Sequence, residues 1–371
     1  MLKIGTLFSG IGAVEQALIR MNKDHEIIFA CDNGNIDIDI NYEDELEKVR
    51  RLPSFHEKNE YVRSLYAQNS RRTNFVEKSY IHNYKIDESR FFYDVKLFDG
   101  SDFSGKIDIL VGGSPCQSFS MIGEKGGLED TRGTLFYDFA RSIKEIKPKV
   151  FVYENVFGMY KHDKGKTWET VKSVFDSLGY YYKFEVLNSK DFGIPQSRRR
   201  IFVVGFLDET AYMNFEFPRT IPLEFKLQDF LIENTPEGSL NSQGGFLKIS
   251  DSKKTELPLE KYYLSEKLLK YVMSPGTKNF MHKDAKIDLE IARALLSTMG
   301  NTHRSSVNNY VTTNGKVRAL TERETHRLMG FPDNYEIVVS KTQAYKQSGN
   351  SIVVDVLIHL LKSIFTAQRS G

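Results

Sequence analysis

Short apolar runs, each delivered onto a glycine or a polar residue and several followed by a helical stretch, recur up to residue 206. The clearest are residues 2–8, 26–31, 107–111, 150–153 and 201–206, with further ones at 91–95 and 180–187. Runs this short, with little polar alternation, read as strands buried on both faces. Between them, residues 14–21, 134–146 and 168–178 carry apolar side chains at helical spacing; Lys147-Pro148 closes the second and Gly179 the third. Strand alternating with helix predicts an α/β fold built on a doubly wound, mostly parallel, Rossmann-like sheet. Ligands of such sheets sit outside the carboxyl ends of the strands, so the residues that end each run carry the functional information.

The first run ends in the glycine turn FSGIG, and Asp32 follows at the end of the second. A glycine turn with an acid about twenty residues on is the logic of a nucleotide site, although the third glycine of the dinucleotide fingerprint is missing. The run 107–111 leads into GGSPCQSFS, residues 112–120. Gly112 and Gly113 permit a sharp turn and Pro115 fixes the backbone just before Cys116, which presents the thiol as a nucleophile would be presented. Taken alone, a free cysteine is more often a small buried hydrophobe. Residues 121–133 are polar and contain glycines, as a lid loop beside a strand end does. The run 150–153 delivers Glu154-Asn155-Val156, and Gln196-Ser197-Arg198-Arg199-Arg200 precedes the last run. Residues 35–76 hold clustered charge with scattered Leu, Phe and Tyr and read as a helical, solvated insertion; 91–95 resumes a strand whose acid is Asp94.

Beyond residue 206 the texture changes. Residues 207–315 are polar and proline-containing with little periodicity, as a separate irregular domain would be. A helix over 321–329 ends at Gly330-Phe331-Pro332, and a last apolar helix over 352–365 is capped ahead by Asn350-Ser351. No apolar run is long enough to span a bilayer, and the amino terminus lacks the features of a signal peptide. Two cysteines far apart offer no disulfide framework, so a reducing cytosol fits them best. With a net charge of +2, any nucleic-acid-binding face must come from local clustering.

These motifs together resemble the DNA (cytosine-5) methyltransferases of bacterial restriction–modification systems. The resemblance is carried by LFSGIG (7–12), GGSPCQSFS (112–120), RGTLFYDFAR (132–141), ENV (154–156), QSRRRIFVVG (196–205), RALTERETHRLMGFPDNY (318–335) and QSGNSIVVDVL (347–357), in the family's order. It implies a class I methyltransferase sheet with a smaller, irregular target-recognition domain. Residues 1–206, with the insertion at about 35–76 and completed by 340–371, would form the catalytic domain; 207–339 would be the recognition domain and hinge.

By the same resemblance Cys116 is the nucleophile, Glu154 stabilises charge at ring nitrogen 3 of the base, and Arg198 and Arg200 brace the site, Arg200 at the carbonyl oxygen. Phe8, Gly10, Ile11, Gly12, Asp32, Asp94, Pro115, Leu135, Asn350 and Ser351 would bind S-adenosyl-L-methionine, leaving S-adenosyl-L-homocysteine, with no metal. Asn33 departs from the large side chain common in the family, and Asp94 is assigned across a long insertion. His303, Arg304 and Lys316 are candidate DNA contacts, and Ile122 is a candidate wedge into the duplex. The implied partners are double-stranded DNA and a cognate restriction endonuclease, with no membrane; the implied setting is a monomer in a bacterial cytoplasm. Three other readings fit less well. An RNA cytosine methyltransferase on the same scaffold should carry a CFT signature that this chain lacks. A DNA-binding module without catalysis should have damaged motifs, and a nicotinamide oxidoreductase gives no reason for PCQ, ENV and QSRRR together.

Overall fold

The computed structural model describes residues 1–115, 135–233, 257–274, 285–301 and 303–369. Cys116, Ile122 and the segment 121–133, expected from the sequence to be a lid loop, lie outside the described residues. A seven-stranded sheet forms the centre, in the order β3-β2-β1-β4-β5-β8-β6. Its strands are β1 (Leu2–Leu7), β2 (His25–Cys31), β3 (Phe91–Phe92), β4 (Ile109–Gly112), β5 (Val150–Val156), β6 (Tyr181–Asn188) and β8 (Arg199–Phe206); β7 (Gln196–Ser197) lies outside it. The strands from β3 to β5 run parallel, and β8 is antiparallel to both its neighbours. The sheet is therefore mostly parallel, as the alternation of runs predicted.

Period-two alternation explains the continuous apolar runs, because successive side chains feed opposite faces. Ile109, Val111, Val150, Val152, Phe202 and Val204 join one core. Leu110, Phe151, Tyr153, Ile201 and Val203 join the other. The first core is covered by α1 (Ala13–Arg20) and a carboxyl-terminal helix, Val354–Arg369. The second is covered by the helices Leu135–Ile146 and Lys166–Asp176.

The region read as a solvated insertion is helical but docked. It forms α2 (Tyr42–Arg51), α3 (Phe55–Asn69) and α4 (Phe75–Tyr84), and Val49, Val62 and Tyr66 enter the second core. Ser54 caps α3, accepting from Glu57 N and donating to its carboxylate at 2.7 Å. Lys58 is buried and its ammonium lies 2.8 Å from Asp99 and 2.9 Å from Asp102. The strand expected through Asp94 stops at Phe92, because Asp94 turns its carboxylate onto Lys96 N and caps a short turn instead.

The remaining α-helices among the described residues are α5 (Leu135–Ile146), α6 (Phe157–Lys161), α7 (Lys166–Asp176), α8 (Glu209–Asn214), α9 (Glu266–Met273), α10 (Glu322–Arg327), α11 (Lys341–Asn350) and α12 (Val354–Arg369). Asn350 and Ser351 do not cap the last helix: they end α11, which precedes it. Among the described residues after 206, regular strands are β9 (Ala292–Arg293) and the hairpin β10 (Tyr310–Thr313) to β11 (Lys316–Ala319), turning at Asn314-Gly315 with positive φ at both. Gln196 ties this region to the sheet: β7 pairs with β9, its side chain donates to Leu328 O at 2.7 Å, and it accepts from Leu295 N at 2.9 Å.

One buried ion pair joins the two ends of the chain. Arg20 on α1 donates through both terminal nitrogens to Asp355 on α12, each at 2.8 Å, and to Gly330 O at 2.9 Å. Removing one partner leaves the other charged and buried, so Arg20→Ala should cost about 3–5 kcal/mol. Denaturant unfolding should report it as a lower midpoint, with Asp355→Ala similar and the double variant less than additive.

Candidate active site

The carboxyl ends of β1, β4 and β5 meet in one cleft, lined by residues from 6–10, 111–113 and 350–352 together with Glu154. The turn after β1 is held open by hydrogen bonds rather than by bulk. Phe8, Gly10 and Gly12 all have positive φ, and for Phe8 that is a strained conformation kept only where the surroundings enforce it. Ser9 supplies the enforcement: its N donates to Cys31 O at 3.0 Å, and its hydroxyl accepts from Cys31 N at 2.8 Å. Asp32 closes the loop, one carboxylate oxygen accepting from Gly10 N at 3.0 Å and the other from Gly34 N at 2.8 Å. Burial lifts the Asp32 pKa while those two amides oppose the rise. A Cβ on Gly12 would lie 2.0 Å from the Tyr84 ring, whose hydroxyl donates to Gly12 O at 2.6 Å and to Ile11 O at 3.0 Å. Ile11 itself is buried in the core beneath the turn.

The second wall is the end of β4. A Cβ on Gly113 would stand 2.8 Å from Glu154 O and 3.0 Å from Glu154 Oε2, so only glycine lets the two strand ends approach this closely. Asn155 holds the next residue, Ser114, in place. Its amide donates to Ser114 O and to the Tyr153 hydroxyl, both at 2.8 Å, and Ser114 Oγ bonds the same hydroxyl at 2.8 Å. The backbone is thus pinned two residues before Cys116, with Pro115 exposed at the rim.

Glu154 and Arg200 face one another across the antiparallel pair of β5 and β8. Glu154 is paired with Phe202 and Arg200 with Val156, so the two side chains are diagonal neighbours on one face. Arg200 Nε lies 3.0 Å from Glu154 Oε1. Burial pushes the Glu154 pKa above the ordinary carboxylate value, and Arg200, then Arg198, hold it back. Arg198 takes a different part: its guanidinium donates to Leu295 O at 2.8 Å, Gly349 O at 2.9 Å and Ser351 O at 2.8 Å. It clamps the 349–351 segment against the cleft while lending its charge to Glu154. Arg199 points away and lies over the Phe157 ring at 4.3 Å.

Comparison with known proteins decides the lineage. The sequence pattern of the C-5 cytosine-specific DNA methylases matches residues 55–366. The chain belongs to that family. It is similar to the Type II methyltransferase M.HhaI of Haemophilus parahaemolyticus, 37% identical over 257 residues, 69% of this chain and 75% of that protein. It is likewise similar to the Type II methyltransferase M.HpaII of Haemophilus parainfluenzae, 38% identical over 272 residues, 68% of this chain and 70% of the relative. Among solved structures, S. pombe Dnmt2 methyltransferase superposes with a TM-score of 0.63 at 17% identity, covering 99% of both chains. The Entamoeba histolytica methyltransferase EhMeth superposes with a TM-score of 0.62 at 15% identity, covering 99% of this chain and 98% of that one. The enzyme is a DNA (cytosine-5) methyltransferase.

The methyltransferase sheet gathers Phe8, Gly10, Gly113, Glu154, Asn350 and Ser351 around one cleft, with Gly12 and Asp32 behind its turn and Arg200 and Arg198 behind Glu154. Leu135 opens α5 and is half-buried against the second core. Asp94 is buried and bonded to Tyr66 at 2.7 Å. Arg304, a candidate DNA contact, lies over the Tyr271 ring at 3.9 Å and donates to Tyr271 O at 2.7 Å, whereas His303 and Lys316 are exposed. Sequence reasoning missed Ser9 as the lock of the turn after β1, Tyr84 as its backing and Asn155 as the brace of Ser114. Asn155 was signalled by its place in ENV; Tyr84 had no local signal.

Proposed function

We propose that this methyltransferase transfers the methyl group of S-adenosyl-L-methionine to carbon 5 of cytosine in double-stranded DNA, at a specific sequence, through a covalent Cys116 adduct on a flipped base. The observation that carries the reading is the junction of Gly113, Ser114 and Glu154. The turn leading to Cys116 is pinned to the strand that bears a largely buried, arginine-held carboxyl group.

Carbon 5 of cytosine is a poor nucleophile until a thiolate adds at carbon 6 and converts the ring to an enamine. Glu154 is the group for ring nitrogen 3, where negative charge develops as the thiolate adds. Its burial favours the protonated acid, which can donate there, and Arg200 fixes its orientation. After methyl transfer the carbon-5 proton leaves and the thiolate is expelled, restoring aromaticity. Because carbons 5 and 6 are covered in a stacked duplex, the base must leave the helix; this costs a few kcal/mol, roughly, and pocket contacts offset it.

The chemistry of the turn suits an adenosyl cofactor. Among the described residues, Phe8 O at 4.0 Å is the one near neighbour of a Cβ built on Gly10, so the glycine leaves room for a ligand against the backbone. The Asp32 carboxylate accepts one backbone bond on each oxygen and keeps a lone pair on each for ribose hydroxyls. Phe8, Gly10, Asp32, Asp94, Pro115, Leu135, Asn350 and Ser351 would hold the cofactor, with Ile11 and Gly12 shaping the turn. When bound, the cofactor supplies an electrophilic methyl on a sulfonium. Residues 207–339 would read the DNA sequence, and relatives named as Type II methyltransferases support a restriction–modification setting with a cognate endonuclease. Bisulfite sequencing of DNA from cells expressing the protein should reveal one protected cytosine context. Uniform conversion of every cytosine would sink the reading.

A further inference from the structure

Helices α3 and α4 bond to the carboxyl ends of β2 and β3, and Tyr84 of α4 bonds to the Ile11-Gly12 turn beside the cleft. Asn74, the cap of α4, donates to Asp32 O at 2.8 Å, and a Cβ on Gly34 would strike its Oδ1 at 2.4 Å. Asn59 and Arg63 of α3 both donate to Phe91 O, at 3.1 and 3.0 Å. Tyr66, one turn further along α3, donates its hydroxyl to Asp94 Oδ2 at 2.7 Å, while Lys96 N donates to Oδ1 at 3.0 Å. The Tyr66 ring stacks on Tyr93, centroids 5.3 Å apart and planes at 15°, so the hydroxyl is aimed by packing as well as by bonding.

We propose that this insertion is a wall of the adenosyl pocket, with Tyr66 as a positioning residue whose hydroxyl fixes the Asp94 carboxylate to accept from the exocyclic amine of adenine. The inference deepens the cofactor reading above and rests on it. A carboxylate offers about four acceptor sites. Tyr66 and the Lys96 amide take one on each oxygen, which leaves two and stops the group rotating. The tyrosine also keeps the group ionised. Burial lifts the Asp94 pKa to about 6, and the Tyr66 hydroxyl is the foremost influence holding it down. The other ionisable groups facing it are Lys96 on its own turn, Asp138 on α5, Tyr42 on α2 and Cys31 on β2. Lys96 favours the carboxylate and Asp138 opposes it. Burial raises the Tyr42 and Cys31 pKa values, so both are neutral around pH 7. A carboxylate accepts from an amine more strongly than the protonated acid does, so binding weakens as pH falls through the Asp94 pKa. Losing the hydroxyl moves that loss to higher pH.

Calorimetric titration with S-adenosylhomocysteine, and with its inosine counterpart bearing a 6-oxo group, tests this on the wild-type protein and Tyr66→Phe. The variant keeps the stacked ring and loses only the hydroxyl. It should bind S-adenosylhomocysteine about fivefold more weakly near pH 6 and within about twofold of wild type near pH 8. Its preference for the amino over the oxo ligand should also shrink. Equal losses at both pH values with discrimination intact, or no loss at either, would give Tyr66 a purely structural part and overturn the proposal. Asp94→Asn should remove the pH dependence with or without Tyr66; its persistence would equally overturn it. If the wild-type protein bound S-adenosylhomocysteine at neither pH, the cofactor reading itself would fail, a result distinct from the first two.

Discussion

Glu154→Gln should lower the rate of methyl transfer by about three orders of magnitude while leaving affinity for duplex DNA and S-adenosylhomocysteine within about threefold of wild type. Glutamine keeps the shape of the side chain and an oxygen for Arg200 Nε, which lies 3.0 Å from the native carboxylate. It cannot give up a proton to ring nitrogen 3. The pH profile separates this from a packing defect. Burial raises the Glu154 pKa, so the acid form persists above the ordinary carboxylate range and is lost as pH rises through the folded-state pKa. The thiolate at Cys116 has the opposite requirement and is lost as pH falls. Single-turnover rates should therefore fall on both sides of an optimum, and the variant should lack the high-pH limb. A Glu154→Gln enzyme with a near-normal rate, or with both limbs intact, would remove the carboxyl from the chemistry.

Cys116→Ser should be the more severe change, a loss on the order of 10⁴-fold or more, because an alcohol is a far poorer nucleophile than a thiol at neutral pH. DNA carrying 5-fluorocytosine at the target supplies the decisive measurement. Fluorine at carbon 5 cannot leave as the proton does, so after methylation the wild-type enzyme should remain bonded to the DNA through denaturing electrophoresis. The serine variant should bind the same duplex and form no such adduct. An adduct formed by the variant would assign the nucleophile elsewhere.

Much of this architecture is legible in the sequence. Strands buried on both faces must be short and apolar, and β4 is so throughout, while β5 and β8 depart from it only at Glu154-Asn155 and Arg199-Arg200, where they reach the cleft. The need for glycine at 112 and 113 has a different cause from the sharp turn the sequence suggests: neither has positive φ, and a Cβ would strike Phe139 at 112 and Glu154 at 113. What the sequence hides is long-range. Tyr84 backs the turn at Gly12 from more than seventy positions away, and nothing near either residue announces the other. Arg198 and Arg200 share a face yet differ in task, because one meets a carboxylate and the other three backbone carbonyls. The insertion looked solvated because α2 and α3 are rich in charge, and only tertiary contact turns Lys58 inward to Asp99 and Asp102. Helix α11 was missed for a related reason: KTQAYKQSGN buries mainly small and polar residues, so its apolar stripe is faint. The Ser54–Glu57 cap, by contrast, was written in the sequence as S-x-x-E.

The Arg20–Asp355 pair has a consequence for synthesis. The partners are 335 positions apart, and α12 covers the same face of the sheet as α1. At roughly 5–20 residues per second, a ribosome needs some tens of seconds to deliver the second partner after the first. Throughout that interval the nascent sheet has an uncovered apolar face and an arginine without its acid, and the Gly349 and Ser351 carbonyls that receive Arg198 do not yet exist. The residues that complete the cleft and cover its sheet therefore arrive late, with α11 and α12.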